Sequence, residues 1–305
     1  MSTTTATPSR AASASLVTAG ILWGTGGLAG ALLAERAELS SAAVAVCRLA
    51  LGGAFAVLLL GCTGGLRALP RTRDAMRRLL VAGVLLALYQ ACYFAAVSLT
   101  SVSVATMTTI GSVPVFVALA GAVQERRPPS PATTLSVLCA LLGLALLTWS
   151  PGEAAGDGNV VLGIGCALAS GASFAALTLV TRRPVAGLDP LRTTAFGCVV
   201  GAVLLTPLLV LGPTPFGEGV WPVGLDVVAL AMYLGAVPTA LAYLAYFRGL
   251  ARSRPVVAAL SALLEPLTAA VLAALLLGED LGLAGWCGAA LLVGAVAGSY
   301  VRPAR

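Results

Sequence analysis

Lysine and histidine are missing from the 305-residue chain altogether, and charged residues of every kind make up only 10% of it. Aromatic residues are scarce as well, at 6%. Without histidine there is no imidazole base, no histidine metal ligand and no histidine proton relay. Without lysine no phosphate-binding loop of the G-x-x-x-x-G-K-[ST] kind can form, which argues against direct drive by ATP. Soluble domains carry roughly 25% charged and about 45–50% apolar residues. Here the hydrophobic share is 59% and the mean hydropathy +0.98. This composition excludes an ordinary globular enzyme and a disordered chain, and leaves an integral membrane protein.

Ten apolar runs of spanning length fall at residues 15–34, 41–62, 79–99, 102–123, 133–149, 160–180, 193–211, 227–247, 255–277 and 282–301. About 20 such residues cross a bilayer as a helix. In lipid every backbone group must be satisfied internally, and the alternating pattern of a barrel is absent. The expected fold is an all-α integral membrane protein with ten transmembrane helices. Only residues 100 and 101 separate the third run from the fourth, so a single long helix competes there. The first run is longer than the roughly 7–15 residues of a signal-peptide core and reads as a retained helix. The seven cysteines, Cys47, Cys62, Cys92, Cys139, Cys166, Cys198 and Cys287, are scattered through apolar stretches without a C-x-x-C pair. They read as small buried hydrophobes rather than a disulfide framework or a metal site; no cofactor is expected.

All 18 basic residues are arginines. With the N-terminus in the cytoplasm, all but Arg36 and Arg48 fall in inside segments, among them Arg10, Arg67, Arg71, Arg73, Arg77, Arg78, Arg126, Arg127, Arg182, Arg183, Arg192, Arg248, Arg252, Arg254, Arg302 and Arg305. Arginine-rich loops stay in the cytoplasm, so both termini are predicted inside and the helix count even. Most of the acids (Glu35, Glu38, Glu153, Asp157, Glu218, Asp226, Glu279, Asp280) fall on the other side. That placement assigns the net charge of +6 and the pI near 9.2 to membrane orientation, not to nucleic acid.

The halves resemble each other. YFAAVSLTSVSVATMTTIGSVP (93–114) leads to Glu125, and YFRGLARSRPVVAALSALLEP (246–266) leads to Glu279. Five helices per half is an odd number, so the second copy enters the membrane inverted, a common transporter plan with the substrate site near the midplane. The predicted division is a cytoplasmic tail at 1–14, a first five-helix repeat at 15–149, an extracytoplasmic linker at 150–159, a second repeat at 160–301 and a cytoplasmic tail at 302–305.

ILWGTGGLAG in the first helix, CRLALGG in the second and YQACYFAAVSLTSVSVAT across the third and fourth carry a resemblance to a known family. SVPVFVALAGAVQER and LLEPLTAAVLAALLLGEDLGLAGWCGAALLVGAV carry it at the ends of the two repeats. In order and spacing, over nearly the whole chain, these segments resemble the drug/metabolite transporter superfamily and its ten-helix EamA-type exporters. The resemblance implies a transporter in the plasma (inner) membrane with a small-molecule cargo. Members export amino acids, nucleobases, pigments and drugs, so the cargo stays open.

Glu265 is the only acid within a predicted span. It lies roughly 15 Å deep at about 1.5 Å per residue, near the middle of a ~30 Å core. An ionisable group there is a functional candidate by default, and proton coupling is the role it suits; a structural partner for Arg48, or for backbone freed by Pro266, is the alternative. Arg48 lies roughly 11 Å deep, where it binds a carboxylate, pairs with Glu265 or snorkels to the surface. Trp23, Tyr89, Gln90, Tyr93, Ser112, Tyr233, Thr239 and Glu265 are the candidate cavity residues by depth, with Thr109, Tyr243 and Tyr246 as further walls. Tyr246 and Trp149 also suit an interfacial aromatic belt. Pro114, Pro238 and Pro266 remove helix hydrogen bonds and are hinge candidates. Gly20/Gly24 and Gly26/Gly30 have the spacing of close helix contacts inside the bundle, and Gly294/Gly298 that of a homodimer contact. The GTGGLAG pattern has no strand before it and is not a dinucleotide site.

The leading expectation is a secondary exporter of small metabolites or drugs, amino-acid-like or amphipathic, working by alternating access and driven by protons or by the cargo's own gradient. It is not expected to be an enzyme. A membrane enzyme acting on lipid or isoprenoid substrates needs clustered acids, a metal or an activated nucleophile, which one lone buried acid does not supply. A scaffolding subunit gives no reason for polar groups at mid-depth.

Overall fold

The computed structural model describes residues 10–68, 72–148, 159–211, 224–277 and 281–300. The expected linker up to residue 158, the C-terminal tail, Trp149 and the acids Glu153, Asp157, Glu218, Glu279 and Asp280 lie outside the described residues, as do residues 1–9 and Arg71. The first five spans are Arg10–Arg36, Ser41–Cys62, Arg73–Leu99, Val102–Glu125 and Pro131–Leu147. The sixth is Val160–Arg182, and the seventh is Pro190–Leu205 continued after a break by Pro207–Leu211. Leu225–Gly235, Ala236–Leu241 and Ala242–Leu250 make the eighth, Pro255–Ala262 with Leu264–Leu277 the ninth, and Gly282–Tyr300 the tenth. Nine of these are long and apolar enough to cross a bilayer. Pro131–Leu147, with 17 residues, reaches roughly 25 Å, the short end of what a bilayer needs.

Polar caps start the helices. Ser40, Thr72, Ser101, Ser130, Asn159 and Asp189 each accept a hydrogen bond from a backbone N–H of the following turn, satisfying a donor that the helix leaves open. Capping settles the tight junction at residues 100–101 as two helices. Ser101 Oγ accepts from Val104 N at 3.2 Å, and Thr100 Oγ1 donates to Ala96 O at 2.7 Å, closing the previous helix. The first and third helices start earlier than hydropathy predicts, at Arg10 and Arg73, because arginine is a good helix former and extends them beyond the apolar run.

The three prolines behave differently. The fourth span runs unbroken through Pro114. At Pro238 the bonding widens to a π-turn over Ala236–Leu241, and Thr239 Oγ1 donates to Leu234 O at 2.8 Å, five residues back. Pro266 has no N–H, and the ninth span breaks just before it at Leu263, whose N–H bonds Leu260 O in a tighter turn.

Contacts between the halves follow a two-fold rule. The first span packs on the eighth and ninth, and the sixth on the third and fourth; the second packs on the seventh and eighth, and the seventh on the second and third. Exchanging the halves turns each pair into another of the set. The fifth and tenth spans pair with each other, crossing at Gly143 and Gly288. A Cβ on Gly143 would stand 2.8 Å from Gly288 O and 2.9 Å from Leu292 N; one on Gly288 would stand 2.5 Å from Gly143 O and 2.6 Å from Leu147 N. Backbone meets backbone, and neither side can yield. Gly288→Ala is expected to lower the melting midpoint in detergent, by an overpacking cost of about 1–3 kcal/mol. Gly294→Ala, at a glycine with nothing within 4 Å of its Cβ position, should leave it unchanged or slightly raised.

The same contacts correct the register of the repeat. A Cβ on Gly24 would lie 2.6 Å from Glu265 O, and one on Gly171 would lie 2.6 Å from Thr109 O. Thr109 and Glu265 are therefore counterparts, and the proline ends of the two Tyr-Phe…Pro segments are offset by one turn. The cysteine expectation is also corrected. All seven are free, but only Cys198 is buried, while Cys62 and Cys287 are exposed on the outside of the bundle.

Candidate functional site

Trp23, Arg48, Tyr89, Phe174, Tyr243 and Glu265 meet at mid-depth around one cavity, completed by Ile110, Val113 and Ala262. The first span is brought close to the broken ninth span by Gly20 and Gly24, where any side chain would strike Ser261 O or Glu265 O. This close approach sets Trp23 beside the segment that carries Glu265. Free volume in the cavity is about 20 Å³, enough for one water.

The floor of the cavity is aromatic. Trp23 packs against Phe174 (ring centroids 5.8 Å apart), Tyr243 (5.3 Å) and Tyr246 (5.1 Å), and Phe174 packs against Tyr89 (5.2 Å) and Tyr246 (5.6 Å). Tyr246 is wholly buried, with its hydroxyl 2.7 Å from Thr178 Oγ1. It is thus no interfacial anchor, contrary to the aromatic-belt reading. Both partners lie closer than the cavity to the face that carries Arg182 and Arg248, so this layer seals the arginine-rich side. Packing of the two halves is unequal. Ala242–Leu250 and the segment 256–263 are almost entirely buried, whereas their counterparts in the third and fourth spans, within 89–107, are mostly half-exposed. Between the central cavity and the arginine-rich face the halves pack tightly, and on the other side they pack more loosely.

Arg48 and Glu265 line the same cavity, yet no ion pair or hydrogen bond joins them among the described residues. Arg48 Nε, Trp23 Nε1 and Gln90 Nε2 are buried donors without a partner. Buried donors are normally satisfied; among the described residues the cavity holds two unmet donors, Trp23 Nε1 and Arg48 Nε, and a carboxylate, Glu265, with no hydrogen-bond partner.

Two successive matches to the family described as "EamA-like transporter family" span residues 11–149 and 161–301. The chain belongs to that family. It is 33% identical over 283 residues to the "Uncharacterized transporter YwfM" of Bacillus subtilis (strain 168), covering 90% of this chain and 88% of that one. It is 25% identical over 281 residues to the "Uncharacterized inner membrane transporter YicL" of Salmonella typhimurium, covering 91% of each. A solved crystal structure matches 94% of this chain and 97% of its own with a TM-score of 0.77 at 22% identity, a likeness of fold alone. The protein is an EamA-family membrane transporter with multiple spans.

In this EamA-like bundle, Trp23, Arg48, Tyr89, Tyr243 and Glu265 come together at the cavity, Tyr246 packs beneath it against Trp23, and the other candidates of similar depth sit elsewhere. Gln90 is buried beside it but does not line it. Tyr93 bonds Thr106 Oγ1 at 2.8 Å, and Ser112 Oγ donates to Thr109 O at 2.9 Å. Thr239 is taken up by the π-turn. Tyr233 is exposed and donates to Thr25 Oγ1 at 2.8 Å, joining the first and eighth spans on the side away from the arginines. Arg36, the last residue of the first span, pairs with Asp226 at the start of the eighth at 2.8 Å. Phe174, a cavity wall, is missing from the residues picked by depth. Its signal was available, since it is the only aromatic residue in Val160–Arg182.

Proposed function

We propose that this transporter is a secondary exporter of small amphipathic zwitterions of amino-acid type. The observation that carries this reading is the pair of opposite, mutually unbonded charges, Arg48 and Glu265, on one aromatic-walled cavity. A zwitterion satisfies both ends. Its carboxylate takes the guanidinium, which binds carboxylates bidentately, and its ammonium takes Glu265, while Trp23, Tyr89, Phe174 and Tyr243 cover its apolar part. The site stays neutral overall, which suits a low-dielectric interior. Parting of the halves widens the cavity for cargo, and rocking of one repeat against the other exposes it alternately to the two faces.

The flux assay uses inside-out vesicles and radiolabelled neutral amino acids, with their amides and their decarboxylated amines as competitors. Competition by the zwitterions but by neither analogue class is expected. Equal competition by the amines would remove the carboxylate from the reading.

The arginine distribution supports an inner-membrane protein with both termini in the cytoplasm. With the native cysteines replaced, a cysteine introduced beside Arg183 is expected to resist an impermeant thiol reagent in intact cells, and one beside Asp157 to label. The reverse pattern would invert the orientation.

A further inference from the structure

A second cavity, with about 700 Å³ of free volume, opens on the arginine-rich face between the halves. Its charged lining is Arg77 and Arg78 from the third span, Arg182 at the end of the sixth, Arg183 just after it, and Asp74. We propose that this cavity is a binding site for a phosphate-type anion, distinct from the mid-depth cargo site.

Orientation in the membrane accounts for arginines on this face, but not for their arrangement. Arg78 donates through Nη1 to Val180 O and, at 3.0 Å, to Arg183 O. Arg182 donates through Nε to Ser253 O at 3.1 Å. Both side chains are thus anchored on carbonyl oxygens at helix ends, with further N–H groups left for a ligand. Arg77 and Arg183 make no side-chain hydrogen bond or ion pair among the described residues. Arg78 and Arg183 repel each other electrostatically. Four guanidiniums face one concave space against a single carboxylate, that of Asp74, and no ion pair among the described residues relieves them.

Such an excess of fixed cations concentrates anions. Several planar forks around one centre suit the oxygens of a phosphoryl group, which accept two or more guanidiniums at once. Arg77 and Arg78 belong to the first half, Arg182 and Arg183 to the second, so a bound anion ties the halves together across this cavity. The phosphoryl group has two sources, an anionic lipid headgroup of the adjoining leaflet or a soluble phosphorylated solute.

The test uses the full chain in detergent and the double variant Arg77→Gln/Arg183→Gln, which removes charge without removing either anchor. Melting midpoints are compared in inorganic phosphate and in chloride at matched ionic strength. Native mass spectrometry compares retention of phosphatidylglycerol with that of phosphatidylcholine. The wild type is expected to be stabilised by phosphate, to retain phosphatidylglycerol preferentially, or both, and the double variant to bind at least about tenfold more weakly. Phosphate stabilisation alone assigns a soluble solute, and lipid retention alone assigns a headgroup. If the double variant melts early in chloride, Arg183→Gln alone replaces it, with the same loss expected. Equal behaviour of wild type and variant in both arms, or no effect of either ligand on the wild type, overturns the proposal.

Discussion

Glu265→Gln is expected to abolish accumulation of cargo driven by a pH gradient while leaving cargo exchange partly intact. Among the described residues Glu265 carries the only carboxylate on the central cavity and has no hydrogen-bond partner, and it lies two residues from the break at Leu263. Glutamine keeps the shape and some hydrogen bonding but removes the exchangeable charge. For export driven by protons, the carboxyl would take a proton from the face away from the arginines and release it on the other, so acid on the former face would drive export. Aspartate, about one methylene short, should restore only part of the gradient-driven flux. The measurement is gradient-driven flux against exchange flux for wild type, Gln and Asp at matched expression. A Gln variant that concentrates cargo as well as wild type would make Glu265 a structural residue.

Arg48→Gln is expected to weaken transport of carboxylate-bearing cargo at least about thirtyfold, from a loss of about 2 kcal/mol or more for one partner of a buried charge pair. Lysine should rescue poorly, because a point charge does not reproduce the planar fork. The informative readout is the ratio between an amino acid and its decarboxylated amine in competition assays. That ratio should collapse in Arg48→Gln, since the amine never used the guanidinium. A uniform loss for both compounds would mean that Arg48 holds the fold and not the cargo.

The ten-helix architecture was legible in the sequence because each span repeats one strong signal, an apolar run bounded by caps and arginines. Helix starts at Arg10 and Arg73 were not, since hydropathy ends before the helix does. The different fates of Pro114, Pro238 and Pro266 also lie outside the sequence, because a missing N–H can be absorbed by a π-turn, by a break or by slight bending, according to the neighbours. At the site, depth is a one-dimensional coordinate. It selected Trp23, Arg48, Tyr89, Tyr243 and Glu265, but equally Tyr93, Ser112, Tyr233 and Thr239, which turn towards other partners. Which way a helix faces is decided by what packs on it, and here by glycines such as Gly24 and Gly171, whose partners come from the opposite half.

The ninth span is broken at Leu263, whereas the fourth, its counterpart, is continuous from Val102 to Glu125. Two copies of one plan thus hold unlike shapes within a single molecule. If each copy adopts the other's shape, the seal moves to the opposite face without any new kind of contact, because the pairings between halves map onto one another. The second half of the working cycle is then a mirror exercise: the fourth span bends just before Pro114, which lacks an N–H as Pro266 does, while the ninth straightens. A crosslink that fixes the fourth span straight would hold the molecule on one stroke, however well it still bound its cargo.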